Sequence, residues 1–231
     1  MDVLVTGAGR GLGLSFTKLL LEQGHRVFAG HLGSRAALDS LSGRGRLHPV
    51  PLDVTSDASV EGAARAVAAV TRSLDMAINN AGIFPAGYKT GIGGLDLAPF
   101  HECFDVNATG PLRVVKALLP LLQRGEGKTL VTISSEAGSI GGCGGPDRYA
   151  YNMSKAALDM AMKILWNDLS PKGYSIFILH PGWLQTDMGR ATGEPDVPPD
   201  LAAADILALA FARRKETMGR LVDRKGNPMP W

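Results

Sequence analysis

The chain has 231 residues, of which 45% are hydrophobic, enough to build the core of one large α/β domain. Its 24 Lys and Arg residues nearly balance 22 Asp and Glu residues, so the composition shows no footprint of a nucleic-acid partner. The two cysteines form no C-x-x-C pattern, which predicts no metal site and no disulfide framework. We expect no membrane span and no secretory signal, and therefore a cytoplasmic location.

The first predicted unit is a strand, a glycine turn and a helix. Val3-Leu4-Val5 is typical of a buried strand, and Leu14–Leu21 of a helix that ends near Gly24. The glycines of the turn Thr6–Gly13 let the backbone approach a pyrophosphate, and the helix start presents N–H groups to that anion. The pattern favours a dinucleotide site, with an ordinary glycine-rich βα turn as the alternative.

Apolar runs of strand length alternate with helical stretches, which predicts βα units around a parallel sheet. The expected fold is a single Rossmann-type α/β domain over residues 1–231, with a doubly wound parallel sheet of about seven strands. Further strands are predicted at Arg26–Gly30, Leu47–Leu52, Asp75–Asn79, Lys128–Ser134, Tyr174–His180 and Gly219–Val222. Further helices are predicted from Thr55 and Asp57 to about Arg72, and at Phe100–Leu122, Tyr149–Leu169 and Leu201–Arg214.

Three Gly- and Pro-rich stretches follow predicted strands, at residues 82–94, 138–146 and 189–199. Ligands of open parallel sheets bind outside the carboxyl ends of the strands, so we expect these loops to surround a substrate. Phe84 and Tyr88 are candidate walls of that cleft, although exposed loops are as commonly passive connections. Cys143, in the second loop, is interpreted as a passive thiol.

The residues after the second strand indicate which dinucleotide binds. An acidic residue at this point usually binds the ribose 2′-hydroxyl, but Ala29 to Arg35 contains no Asp or Glu. Arg35 and Arg10 offer guanidinium groups that suit a 2′-phosphate, so we favour NADP over NAD; the alternative is that both are solvated surface residues. Asp53, after the third strand, is either an acceptor for the adenine amino group or a helix cap.

Six signatures follow one another along the chain: Thr6–Gly13, Asn79-Asn80-Ala81-Gly82, Asn107, Ser134-Ser135, Tyr151-Asn152-Met153-Ser154-Lys155 and Pro181-Gly182-Trp183-Leu184-Gln185-Thr186. Together they resemble the short-chain dehydrogenase/reductase family over essentially the whole chain. The stretch 135–140 and the ending Pro230-Trp231 further resemble the sniffer-like or C-factor-like carbonyl reductases. The spacing from Ser135 to Tyr151 is longer than in most members, which we interpret as loop variation.

The resemblance implies a role for four residues. Tyr151 protonates a carbonyl oxygen while nicotinamide delivers hydride, and Lys155 holds the nicotinamide ribose. Ser135 orients the substrate oxygen, and Asn107 positions Lys155 through water and links a proton relay to solvent. The spacing of Tyr151 and Lys155 supports these roles, because residues four apart share a helix face. A nearby ammonium favours the phenolate and is expected to lower the phenol pKa, which is ordinarily about 10. Strand alternation places Ser134 and Ser135 on opposite faces, and the family pattern selects Ser135.

The resemblance also implies an NADP-dependent reductase or dehydrogenase acting on a small carbonyl or alcohol. It implies a homodimer or homotetramer through residues 100–122 and 149–169, and a substrate loop at about 187–200. The rival hypothesis is a regulator or scaffold that binds the dinucleotide without turnover, but the complete catalytic set favours the enzyme. The expected cofactor contacts are Gly7, Gly9, Arg10, Gly11, Leu12, Gly13, Arg35, Asp53, Val54, Asn80, Ala81, Gly82, Tyr151, Lys155, Pro181, Gly182, Leu184 and Thr186.

Overall fold

The computed structural model describes residues 1–41, 45–85, 91–213 and 218–231. Seven parallel strands form one sheet in the order β3-β2-β1-β4-β5-β6-β7, which confirms the predicted doubly wound α/β fold. The order reverses between β1 and β4, the point where such sheets bind ligands. The strands are β1 Asp2–Val5, β2 Arg26–His31, β3 Leu47–Pro51, β4 Met76–Asn79, β5 Thr129–Ile133, β6 Ser175–His180 and β7 Leu221–Asp223.

In the part of the chain that the structure describes, eight α-helices flank the sheet: α1 Gly11–Glu22, α2 Ala36–Asp39, α3 Asp57–Val70, α4 Ala98–Phe104, α5 Gly110–Arg124, α6 Tyr149–Leu169, α7 Asp187–Arg190 and α8 Pro199–Ala212. The first helix starts three residues earlier than predicted, inside the glycine turn. The N-cap of α3 is Ser56 rather than Thr55, since the Ser56 hydroxyl accepts the Ser59 N–H at 3.2 Å. Across these described ranges, no helix has the length and apolar content needed to cross a membrane.

Each face of the sheet is covered by its own apolar cluster. On β1, Val3 and Val5 point into the cluster that contains α1 and α8, while Leu4 points into the cluster that contains α3 and α5. This division follows from the two-residue side-chain period of a strand. Because both faces are covered, the central strands β1, β4, β5 and β6 are largely continuous apolar runs, whereas the edge strand β3 is only partly buried. A ligand at the carboxyl ends of the strands therefore meets the loop residues that follow them.

The helix predicted over Phe100–Leu122 is two helices joined by a π-helical turn at Asp105–Thr109. Pro111 lies in the first turn of α5, directly after the π-helical turn, and Pro120 lies inside that helix. The turn carries Asn107, whose side chain is fully buried. A one-residue widening of this kind leaves the apolar periodicity nearly unchanged, so the sequence pattern does not show it.

Candidate active site

The glycine turn at the end of β1 has the shape of a backbone cradle. Gly7 and Gly11 have φ values of +65° and +52°, in the left-handed region that favours glycine. A Cβ on Gly13 would lie 2.2 Å from the Gly7 carbonyl oxygen, so only glycine fits there. No described side chain caps the first turn of α1, and Arg10 occupies its N-cap position. Backbone N–H groups at this turn are therefore left for an anionic ligand.

Short contacts join this turn to the ends of β4 and β6. The Thr6 hydroxyl accepts the N–H groups of Asn80 and Ala81, both at 3.0 Å. The Asn80 amide donates to the Thr6 carbonyl at 2.9 Å, which fixes the two loops side by side. On the other side, a Cβ on Gly11 would lie 3.2 Å from the Thr186 side chain. The expected cofactor residues after β1, β4 and β6 thus meet at one edge of the sheet.

A cluster of polar side chains lies between α6 and the end of β5. The Tyr151 hydroxyl lies within hydrogen-bonding reach of Ser135. The Lys155 ammonium lies 5.8 Å from the centre of the Tyr151 ring and donates to the Ile133 carbonyl at 2.9 Å. The Ser135 hydroxyl oxygen also accepts the Ala137 N–H at 3.1 Å, which fixes its direction. The structure therefore brings Tyr151, Lys155 and Ser135 together as the sequence predicts.

The ionisation of this cluster differs from the expectation. Burial raises the pKa of Tyr151 to about 12, and the hydrogen bond with Ser135 opposes that rise only in part. Burial lowers the pKa of Lys155 to about 8. The expected lowering of the phenol pKa by Lys155 is not seen, because the phenolate would lose its solvation and the ammonium is directed at Ile133. At neutral pH the phenol is protonated, the form that donates a proton.

Asn107 fixes the chain after β4 against α6. Its side-chain oxygen accepts the Ile83 N–H at 2.8 Å, while its amide donates to the Ile83 carbonyl and to the Ser154 hydroxyl, each at 3.0 Å. A Cβ on Gly82 would lie 3.2 Å from the Asn107 oxygen and 3.8 Å from the Lys155 ammonium. Asn107 thus lies beside Lys155, held by direct bonds to both neighbouring elements.

The candidate adenosine end is more loosely built. The Nη2 and Nε atoms of Arg35 lie 2.7 and 2.9 Å from one carboxylate oxygen of Asp39, and both side chains are exposed. Asp53 accepts the N–H and hydroxyl of Thr55 at 2.9 and 2.7 Å, and these bonds hold its pKa below the ordinary value. Asp53 therefore braces the turn after β3, without being the cap of α3. Val54, next to it, is buried.

Two segments border the cluster. The Phe84 ring centre lies 4.5 Å from that of Tyr151, so Phe84 is placed as a wall, while Tyr88 lies outside the described residues. The loop after β6 folds on itself: Leu184 bridges Val197, and the Trp183 indole N–H donates to the Gly189 carbonyl at 3.2 Å. The remaining predicted contacts in this region, Pro181, Gly182, Leu184 and Thr186, all lie at its base.

Sequence reasoning missed two polar residues beside the cluster. His180, the last residue of β6, accepts the Glu136 N–H on Nδ1 at 3.1 Å, and burial lowers its pKa. The neutral ring thus fixes the peptide next to Ser135. Asp159 is 3% exposed and lies one helical turn after Lys155. The sequence features that could have identified them are the position of His180 directly before Pro181-Gly182 and the spacing of Asp159, four residues after Lys155.

Residues 2–196 match the family model described as short chain dehydrogenase. The chain is 38% identical to "C-signal" from Myxococcus xanthus over 161 residues, which cover 70% of this chain and 95% of that protein. The NADPH-bound carbonyl reductase from chicken fatty liver has a TM-score of 0.88 and 33% identity, covering 100% of this chain and 98% of that one. Carbonyl reductase Sniffer of D. melanogaster has a TM-score of 0.90 and 28% identity, covering 100% and 99%. The chain therefore belongs to the short-chain dehydrogenase family of oxidoreductases, in the subgroup that resembles Sniffer and the carbonyl reductases.

Proposed function

We propose that the protein is an NADP-dependent carbonyl reductase in which Tyr151 donates the proton. The observation that carries the proposal is the cluster of Tyr151, Ser135 and Lys155 beside the glycine cradle. A regulator that only bound a dinucleotide would have no need for a buried phenol, hydroxyl and ammonium in one place. The complete set comes from three segments of the chain: Asn107 from the π-helical turn, Ser135 from the end of β5, and Tyr151 with Lys155 from α6.

The cradle fits a dinucleotide. The left-handed glycines and the first turn of α1 offer backbone N–H groups to a pyrophosphate, and Gly82 leaves room beside Lys155 for a ribose. Arg10 and Arg35 would hold a 2′-phosphate, since no carboxylate occurs between Ala29 and Arg35. The NADPH held by the chicken enzyme supports the same choice here. When bound, NADPH supplies the hydride that reduces the carbonyl carbon.

The residues of the chain supply the other half of the reaction. Ser135 and Tyr151 together present two hydroxyls to one substrate oxygen, and Ser135 orients it by donating a hydrogen bond. Tyr151, protonated at neutral pH, gives its proton to that oxygen as negative charge develops there. The resulting phenolate is stabilised by its hydrogen bond with Ser135 and by the positive charge of Arg148. In the reverse direction, the same phenolate accepts a proton from an alcohol.

The surroundings support a small, partly apolar substrate and an oligomer. Phe84 offers an aromatic wall next to Tyr151, and residues 187–200 would border the pocket as the substrate loop.

On the outer face of α6, Met153, Met160 and Ile164 are 49%, 63% and 60% exposed, an apolar surface suited to contact between subunits. Cys103 and Cys143 are both free, which fits the cytoplasmic location expected from the sequence.

The test is NADPH oxidation with a panel of aldehydes, ketones, diketones and quinones. We expect turnover, and we expect Tyr151→Phe to lower kcat by about 10³-fold, because it removes only the proton donor. Tyr149→Phe is the matched control, since Tyr149 precedes Tyr151 by two residues and does not share the face of Lys155. Its kcat should stay within about twofold of wild type. Tight NADPH binding without turnover on any substrate would favour the regulator.

A further inference from the structure

A buried carboxylate that accepts no hydrogen bond of normal geometry from the described residues lies beneath the proposed catalytic cluster. Neither oxygen of Asp159 has a hydrogen-bond partner among the described residues, and its side chain is almost fully buried. An isolated carboxylate in such a place is costly to the folded state, because it loses water without gaining a hydrogen bond. Helix α6 nevertheless places it four residues after Lys155, on the face that packs against the sheet.

The walls around Asp159 are shaped for a carboxylate. The Ser134 hydroxyl is also buried without a partner of hydrogen-bond geometry, and it is close enough to Asp159 to lower the pKa of the carboxyl. A Cβ on Gly138 would lie 2.5 Å from an Asp159 oxygen, so this glycine leaves the space that the acid occupies. Ser134 and Gly138 lie on either side of Ser135 in the sequence. The turn after β5 therefore contacts Tyr151 through Ser135 and Asp159 through Ser134 and Gly138.

The Asp159 carboxylate and the Lys155 ammonium each favour the ionised form of the other. Burial raises the pKa of Asp159 to about 7, and Lys155 opposes this; burial lowers the pKa of Lys155 to about 8, and Asp159 opposes that. Besides Asp159, two titratable groups face Lys155: the Tyr151 phenol, which is protonated at neutral pH, and Cys103 of α4, whose pKa is raised by burial and which is therefore a neutral thiol. Arg148 and Glu136 act on Tyr151 rather than on Lys155. Asp159 is thus the acid that favours the ammonium.

We propose that Asp159 is a positioning residue, which keeps Lys155 protonated and fixed at the Ile133 carbonyl, and that Ser134 favours the ionised form of Asp159. The inference rests on the proposed reductase activity, for which Lys155 is the cationic group. It gives a function to Ser134, the serine that does not face Tyr151. It also gives a reason for a buried polar pair at a place where an apolar pair of similar volume is often neutral or stabilising.

The first test is the pH profile of kcat/KM in Asp159→Asn, which keeps the shape and removes the charge. The alkaline limb should move to lower pH by about one unit, while the rate on the acidic side stays within about twofold of wild type. Ser134→Ala should move the limb in the same direction by less, because Asp159 then ionises less readily. Ser134→Ala also serves if Asp159→Asn does not fold. Unshifted limbs in both variants would overturn the proposal.

The second test needs no turnover. The pKa of Lys155 is measured by NMR on its ε-carbon in the ligand-free protein, with Lys155→Met to assign the signal, and should be lower in Asp159→Asn than in wild type. If this shift is found while no panel substrate is reduced, the proposed function fails and the positioning role stands. If reduction occurs and the signal titrates identically in both proteins, the positioning role fails alone.

Stability separates this role from a merely structural one. The pKa of Asp159 is higher in the folded than in the unfolded chain, so its ionisation destabilises the fold increasingly as pH rises from about 4 to about 7. Asp159→Asn should therefore melt at a higher temperature than wild type at pH 8, and the difference should shrink towards pH 4. A lower melting temperature at every pH would assign Asp159 to packing alone.

Discussion

The two ends of the candidate cofactor cleft are built differently. At the chemical end, Lys155 and Asn107 are 5% and 0% exposed, and direct hydrogen bonds hold each of them to a neighbouring segment. At the adenosine end, Arg10 and Arg35 are exposed, and the described ion pair of Arg35 is with Asp39, which is also exposed. The chemical end is held in place by the fold before a ligand binds, whereas the adenosine end consists of solvated side chains.

This difference predicts how sensitive each end is to substitution. Interactions in a dry, low-dielectric site are strong and depend on geometry, so one misplaced atom is costly. Exposed charges are screened by salt within about 10 Å at ordinary ionic strength. We therefore expect effects on binding and turnover to fall from the glycine cradle, through the serine pair, to the two arginines.

The largest effect on the folded cradle is expected from Gly13→Ala. Its Cβ would lie 2.2 Å from the Gly7 carbonyl and 2.6 Å from the Asn80 amide, and neither the backbone nor the bonded amide can move aside cheaply. We expect a loss of about 3 kcal/mol in the free energy of unfolding, measured by urea denaturation, and loss of measurable NADPH binding.

Gly62→Ala is the matched control for this substitution. Gly62 lies inside α3, and a Cβ there would meet only an Arg65 side-chain nitrogen at 3.9 Å. Alanine should stabilise that helix by about 1 kcal/mol and leave NADPH binding unchanged. Equal tolerance of alanine at both positions would show that the cradle relaxes, and the proposed rigidity of this end would be wrong.

The next effect concerns the serine pair. Ser135→Ala removes the hydroxyl near Tyr151 and should lower kcat by about 10²-fold, the usual cost of losing a donor to a developing oxyanion. Ser134→Ala, on the opposite strand face, should change kcat at the pH optimum by no more than about threefold. The measurement is steady-state reduction of the best panel substrate. The reverse order would show that the family pattern selects the wrong serine in this chain.

Much of this architecture is encoded locally and was predicted from the sequence. The glycine turn after Val3-Leu4-Val5 and the spacing of Tyr151 and Lys155 depend on short-range backbone geometry. The confirmed sheet follows from apolar runs that alternate with helices, because a parallel strand buried on both faces leaves a continuous pattern. The meeting of the predicted site residues at one edge then follows from chain direction alone.

Other features depend on contacts between distant segments. The π-helical turn at Asn107 is stabilised by the backbone of Ile83, 24 residues away in sequence, and no local pattern reports that bond. The spacing of Asp159 from Lys155 places both on one helix face, but the burial of that carboxylate depends on packing against other elements. The predicted direction of the Tyr151 pKa shift is wrong for the same reason: burial raises this pKa, and burial depends on tertiary packing.

The smallest effects are expected at the arginines. Arg10→Ala and Arg35→Ala should each weaken NADPH binding by about tenfold and leave NADH binding nearly unchanged, because only NADPH carries the 2′-phosphate. Added salt should reduce the difference between wild type and variants, since both side chains are exposed. Dissociation constants from fluorescence titration at two salt concentrations measure both effects. Equal losses for NADPH and NADH would contradict the phosphate role.

Asp39→Asn sharpens this prediction because Asp39 competes for the same guanidinium. The Arg35–Asp39 pair is exposed, so removing the carboxylate should change stability little. It leaves Arg35 free to turn towards a 2′-phosphate and removes a negative charge near it. NADPH should then bind a few-fold more tightly, with NADH unchanged. Weaker NADPH binding in Asp39→Asn would mean that Asp39 holds Arg35 in its binding position, and that the adenosine end is preorganised like the chemical end.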